Sequence, residues 1–416
     1  MPQLTEPANL PSGVFNATPK FLDTTLRQTI KLDLPAAAGN ASTRKLRFRF
    51  SNAFGAAPLD ISAAAVARPL DNRAGVSAVL GETTRNLTFN AGANGIRIPP
   101  GALGVSDPVD FDFAGLETYV GNGTLQAGSI VAISLYLQNG QTGEAITSHP
   151  GSRTTSFLVN GNQIDAENLT GQVQPQAHWY FVSAVESSET DTASAFIVVG
   201  DSITDGRGTV TDANNRWPDF LFSRMQRSND SLARQIAIGN QAAGGNCVLS
   251  TCLGPSVVSR IDRDVLAQPG VRYAMLFAGV NDIGGASADF QTQSQVVASL
   301  ISGYYQITSR IKSQGIAVFA STITPFSGNS TIQPYSNPVR EQSRQKVNEW
   351  IRTSGTFDAV VDFDAAVRDP ANTSMLQTRY DSGDFLHLSV AGYQAMAESF
   401  PLALFQQFAG GLGEWQ

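Results

Sequence analysis

The stretch Ala195-Phe196-Ile197-Val198-Val199-Gly200-Asp201-Ser202 decides how this chain is read. Its apolar half is short, uninterrupted and rich in β-branched residues, the mark of a strand buried on both faces of a parallel sheet. Gly200 breaks the run, and a helix is expected to follow the loop at Arg216-Trp217-Pro218. Ser202 therefore falls where a strand ends and the chain turns. In open α/β sheets that carboxyl edge is where ligands bind.

Working downstream, strands and helices alternate. Strands are expected at 195–199, 235–239, 273–278, 317–322 and 359–362, and helices at 217–227, 289–313, 337–353 and 390–400. Alternation of this kind means βαβ units, a parallel sheet and helices on both faces. Three further blocks stand at loop positions in this pattern: Asn240 to Asn246, Gly279-Val280-Asn281-Asp282 and Asp384-Phe385-Leu386-His387. A serine hydroxyl is a weak nucleophile until a base takes its proton, and His387 is the candidate base. Asp384, three residues upstream, can hold the other ring N–H and fix the tautomer.

At these residues the chain resembles the SGNH hydrolases, the superfamily of GDSL-type esterases and lipases. The four family letters fall on Ser202, Gly245, Asn281 and His387, with Asp384 completing the triad. Gly200-Asp-Ser-Ile-Thr-Asp-Gly206, Asn215-Arg-Trp-Pro-Asp219, Gln268-Pro-Gly-Val-Arg-Tyr273 and Ala391-Gly-Tyr393 look like a secreted branch of that family with an N-terminal β domain. The resemblance covers about residues 194–410. It implies a flavodoxin-like three-layer α/β fold and a serine esterase needing no metal or organic cofactor. It also implies an oxyanion hole made by the backbone N–H groups of Ser202 and Gly245 and the side-chain amide of Asn281. Asp205, Asn246 and Asp282 are weaker candidates for touching substrate, their alternative occupation being to hold loops. Ala242, Ala243 and Leu388 depart from the residues common in the family, and none of the three removes a catalytic group.

Residues 1–185 read differently. Alternations such as Lys45-Leu-Arg-Phe-Arg-Phe50 and Ile130-Val-Ala-Ile-Ser-Leu-Tyr136 are separated by Gly, Pro, Asn and Asp turns. That is an all-β pattern, expected to form a sandwich of jelly-roll type. The polar stretch over 186–193 is the expected linker, and 194–416 the catalytic domain.

Charge and composition narrow the partners. A net charge of −7 with only five lysines and no basic run argues against nucleic acid, which is bound through Lys/Arg clusters. No stretch of 18 apolar residues is present, so no membrane span is expected. Eight Asn-X-Ser/Thr sites argue for secretion and glycosylation: Asn16, Asn40, Asn86, Asn122, Asn168, Asn229, Asn329 and Asn372. No basic-then-apolar leader opens the chain, and Met1-Pro2-Gln3 is expected to stand in place of a removed signal peptide. In an extracellular setting the two cysteines, Cys247 and Cys252, are expected to join as a local disulfide beside Gly245. Two cysteines and three scattered histidines make no metal-ligand cluster. The expected activity is hydrolysis of small-molecule or polysaccharide esters of short acyl type, acetyl groups on carbohydrate among them. Arylesterase, lysophospholipase or lipase activity is the alternative within the family. A non-catalytic carbohydrate-binding protein is the alternative outside it.

Overall fold

Two ways of burying strands divide the chain. The computed structural model describes residues 3–4, 10–15, 17–35, 45–111, 127–188 and 192–412. One unit comprises Met1–Thr190 with Val210–Asn214, the other Asp191–Thr209 with Asn215–Gln416.

The first unit is antiparallel. Its main strands are Thr24–Lys31 (β1), Lys45–Ser51 (β2), Ala63–Pro69 (β3), Val79–Asn86 (β4), Leu103–Val105 (β5), Ile130–Leu137 (β6), Ser156–Asn160 (β7), Gln174–Gln176 (β8) and Val182–Ser187 (β9). Six of them form a sheet in the order β8-β7-β1-β6-β3-β4, and β9-β2-β5 form a second. In β2 the alternation works as the sequence suggests: Leu46, Phe48 and Phe50 are fully buried while the intervening charges face outward. One apolar core gathers these side chains with Leu26, Val131 and Leu135 of the other sheet, which makes the unit a sandwich. β1 breaks the pattern, because Thr25, Arg27, Gln28 and Thr29 are buried too. The Arg27 guanidinium is satisfied by Ser134 Oγ at 2.8 Å and by the carbonyls of Ser77, Gln163 and Ala166 at 2.7, 3.2 and 2.7 Å.

Two boundaries differ from expectation. The supposed linker begins as strand, since Glu186 and Ser187 belong to β9 and pair with Arg47 and Leu46 of β2. Glu186 is buried because its carboxylate meets Arg47 and Arg49, so its polarity reflects an ion pair and not exposure. Residues 210–214 belong with the first unit: Asp212 accepts from Thr155 N–H at 2.7 Å and Thr155 Oγ1 at 2.8 Å.

In the second unit Ser194–Gly200 (β10), Ile236–Asn240 (β11), Val271–Phe277 (β12), Ala317–Ser321 (β13) and Ala359–Val361 (β14) form a parallel sheet in the order β11-β10-β12-β13-β14. Helices flank it: Ser202–Asp205 (α1), Trp217–Arg227 (α2), Val257–Ile261 (α3), Val280–Gly285 (α4), Phe290–Lys312 (α5), Pro338–Thr353 (α6), Phe363–Val367 (α7) and Val390–Ser399 (α8). Asp289 and Asn337 cap α5 and α6 through their side chains, which is why the helical pattern begins at those residues. Phe196, Tyr273 and Phe319, from three neighbouring strands, meet Phe405 near the C-terminus. Tyr304 of α5 stacks on Trp350 of α6. From β10 the chain goes to β11 on one side and then to β12 on the other. The order thus reverses between β10 and β12, which opens a crevice at their carboxyl ends.

Candidate active site

Ser202 is the first residue of α1, directly beyond the end of β10. Gly200 is required there: a Cβ would lie 2.8 Å from Thr204 Oγ1 and 2.9 Å from Phe277 O. Asp201 caps the turn by accepting from Ile203 N–H at 3.0 Å. Burial, with Asp282 and Asp205 nearby and against the Ile203 N–H and Arg260, pushes the Asp201 carboxyl up to about 7.

His387 arrives from the loop ahead of α8. Its Nε2 lies 2.7 Å from Ser202 Oγ, and its Nδ1 lies 2.6 Å from Asp384 Oδ2. The other carboxylate oxygen, Asp384 Oδ1, accepts the backbone N–H groups of His387 and Leu386 at 2.7 and 3.1 Å. One carboxylate therefore fixes both the ring and the loop that carries it. Burial works to raise the Asp384 carboxyl, but the His387 ring and these N–H groups outweigh it and hold it well below the usual carboxylate range. With Asp384 ionised, Nδ1 carries the hydrogen and Nε2 is left as the acceptor facing Ser202.

Gly245 follows β11 with a φ of +64°, and Leu253 packs where its side chain would be. The N–H groups of Ser202 and Gly245 are committed to no acceptor among the described residues. Asn281 is in α4 beyond β12. Its Nδ2 donates one hydrogen to Asn246 O at 2.8 Å, which leaves the second hydrogen for a ligand. Tyr335 OH donates to Asn281 Oδ1 at 3.1 Å and so fixes which way the amide faces. Tyr335 was not foreseen. Its one trace in the sequence is Gly284, where a Cβ would fall 2.1 Å from the tyrosine ring.

The weaker candidates turn out to hold loops. Asp205 Oδ2 accepts from Gly244 N–H at 3.0 Å, and Asp282 accepts from Val248 and Leu249 N–H at 2.8 and 3.0 Å. Asn246 is fully buried, donating to Pro255 O and accepting from Arg260. Each of the three side chains thus has protein partners that support a loop. Trp217 is core: it is fully buried, its ring edge meets Phe363, and its indole N–H donates to Thr204 Oγ1. Cys247 and Cys252 form a disulfide, closing a small ring next to Gly245 and Asn246. His178 Nδ1 donates to Pro150 O, and the edge of the His149 ring meets Trp179.

Among the sequons, Asn86, Asn168, Asn229, Asn329 and Asn372 are exposed. Asn16, Asn40 and Asn122 lie outside the described residues. Among the described residues no helix is long and apolar enough to cross a membrane.

A buried serine hydrogen-bonded to an imidazole that a carboxylate orients is equipped for acyl transfer. Residues 198–395 match the model of the GDSL-like Lipase/Acylhydrolase family. No curated relative matches the chain. Among solved structures, the chain is similar to a catalytic mutant of an acetylxylan esterase from Geobacillus stearothermophilus (20% identity, 50% of this chain and 93% of that one, TM-score 0.37). It is also similar to a GDSL-like lipase from Bacteroides thetaiotaomicron (17% identity, 51% of this chain and 86% of that one, TM-score 0.35).

Proposed function

We propose that this chain, which carries a GDSL-like lipase/acylhydrolase domain and is a carboxylic ester hydrolase, is a secreted serine esterase acting on short acyl esters through an acyl-enzyme on Ser202. The observation that carries the reading is the unbroken relay from Ser202 Oγ through His387 to Asp384. Ser202 Oγ attacks the ester carbonyl carbon while Nε2 of His387 takes its proton. The carbonyl oxygen becomes an oxyanion facing the N–H groups of Ser202 and Gly245 and the second amide hydrogen of Asn281. Collapse expels the alcohol, which receives the proton from His387, and water repeats the sequence to release the acid.

Two observations support the finer parts. Leu253 leans on Gly245 and is itself half exposed, so an apolar wall narrows the space beside one oxyanion donor, which suits a small acyl group. The disulfide and the five exposed sequons suit an oxidising compartment. Acetyl groups on carbohydrate are the substrate class that fits a small acyl group on a polar alcohol.

The test is a panel of p-nitrophenyl esters from C2 to C16 assayed beside acetylated xylan and pectin. The reading expects kcat/KM to be highest at C2 to C4 and acetate to be released from polysaccharide. A maximum at C8 or beyond would instead favour the lipase or lysophospholipase reading.

A further inference from the structure

Arg260 lies beneath the site and touches no position a substrate could reach. It sits in α3, is fully buried, and spends its guanidinium in several directions. Nη2 donates to Gly200 O at 3.0 Å, two residues before Ser202. Nη1 donates to Gln241 O at 2.6 Å, just past the end of β11, and to Asp264 Oδ2 at 2.9 Å. Nε donates to Asn246 Oδ1 at 3.0 Å, one residue after Gly245. The carbonyl of that same Asn246 receives Asn281 Nδ2. Gly200 O also accepts Ala243 N–H at 3.1 Å, so the end of the nucleophile strand and the loop presenting Gly245 share an acceptor that Arg260 grips.

We infer that Arg260 is the positioning residue of the oxyanion hole, one planar cation that sets the spacing of all three donors; this rests on the serine esterase reading above. The three donors come from three crossovers, after β10, β11 and β12, so their mutual distances depend on the contacts that tie these loops together. A donor set must be held to within about 0.5 Å to stabilise a transition state. A guanidinium offers five N–H groups in a rigid plane, so its contacts with strand end, loop end and loop side chain cannot shift independently. Lysine could keep the charge beside Asp264, but its single nitrogen cannot reach all of these acceptors in their present places. Asp264 neutralises the buried cation, and Arg263 holds Asp264 from its other side, which leaves Arg260 a fixed anchor.

The experiment compares Arg260→Lys and Arg260→Met in the full chain with the parent. Each is assayed for kcat and KM on p-nitrophenyl acetate, for the inhibition constant of a boronic acid that forms a tetrahedral adduct on serine, and for melting temperature. Arg344→Lys is the control, because Arg344 is equally buried but binds Asp364, Glu341 and Ile323 O away from the oxyanion donors. The expectation is a fall in kcat of ~10²-fold for Arg260→Met and of ~10-fold for Arg260→Lys, with KM changed less than ~3-fold, as for loss of an oxyanion donor. Boronic acid affinity should weaken in parallel with kcat. Arg344→Lys should lower the melting temperature and leave kcat in place. Should Arg260→Met fail to fold, Arg260→Lys carries the test, and added guanidinium should restore part of kcat to Arg260→Gly. A folded Arg260→Lys with parental kcat and boronic acid affinity overturns the inference while the esterase reading stands. A parent that turns over no ester and takes no serine-directed probe at Ser202 overturns both.

Discussion

Both units bury an arginine under a loop, and the difference between those two arginines shows why one unit carries the chemistry. In the antiparallel unit Arg27 ties Ser77, Gln163 and Ala166 to the middle of a sheet and so holds two loops, one between β3 and β4 and one between β7 and β8. In the parallel unit Arg260 ties the ends of adjacent strands, each leading into a loop with a reactive group. Antiparallel strands send successive loops to opposite ends of a sheet, so few of them can converge. Parallel strands deliver every βα loop to the same edge. Ser202, Gly245 and Asn281 follow three strands of one sheet, and the loop with Asp384 and His387 completes the set. Convergence at a sheet edge, more than burial of polar groups as such, separates a structural arginine from one placed to act on chemistry.

The sharpest way to break that contrast is to remove a converging group. His387→Ala should lower kcat by ~10⁴-fold or more, as loss of a triad base does elsewhere, with a melting temperature near that of the parent. Residual turnover above ~1% of the parent would mean that another group serves as base. On the other side of the comparison, Arg27→Met leaves the Gln163 and Ala166 carbonyls without their cation and should cost roughly 3 kcal/mol of stability. Denaturant titration measures this, and kcat on p-nitrophenyl acetate well below the transition should stay within ~2-fold. A kcat loss as large as that expected of Arg260→Met would erase the distinction drawn between the two arginines.

A smaller effect concerns Asp201, whose carboxyl is raised to about 7 by burial and neighbouring carboxylates. An acid with a raised folded-state pKa binds its proton more tightly when folded. Its presence therefore costs nothing below the unfolded value near 4, costs more as pH rises toward 7, and reaches a constant penalty above that. Asp201→Asn keeps an oxygen able to accept the Ile203 N–H and removes this ionisation. The variant should lose less melting temperature than the parent between pH 5 and pH 8. An identical drop in both proteins would show that Asp201 does not titrate in that window.

What could be read from the sequence follows the same division. Ser202, Asp384 and His387 were legible because nucleophile, base and orienting acid demand particular side chains, and Asn281 was legible from the resemblance. Gly245 was legible from the resemblance, and the structure adds why glycine suits the place, a φ of +64° and Leu253 against it. Tyr335 and Arg260 were not legible, since each acts on the site from an element whose approach depends on the assembled sheet. Asp205, Asn246 and Asp282 answer Gly244 N–H, Pro255 O with Arg260, and Val248 with Leu249 N–H, pairings that composition and spacing do not reveal. In the β unit, β2 announced itself by alternating Leu46, Phe48 and Phe50, whereas β1 hid Arg27 and Gln28 in a run that reads as polar. Glu186 misled in the same way, its charge suggesting a solvated linker when Arg47 and Arg49 were waiting on β2.

The most direct test of the account is to expose the parent to a fluorophosphonate, follow ester turnover as it reacts, and locate the adduct by peptide mass spectrometry. The account predicts one adduct per chain on Ser202, turnover lost in proportion to labelling, and no labelling of a folded Ser202→Ala variant. An adduct on a different serine, or turnover that persists in fully labelled protein, would contradict it.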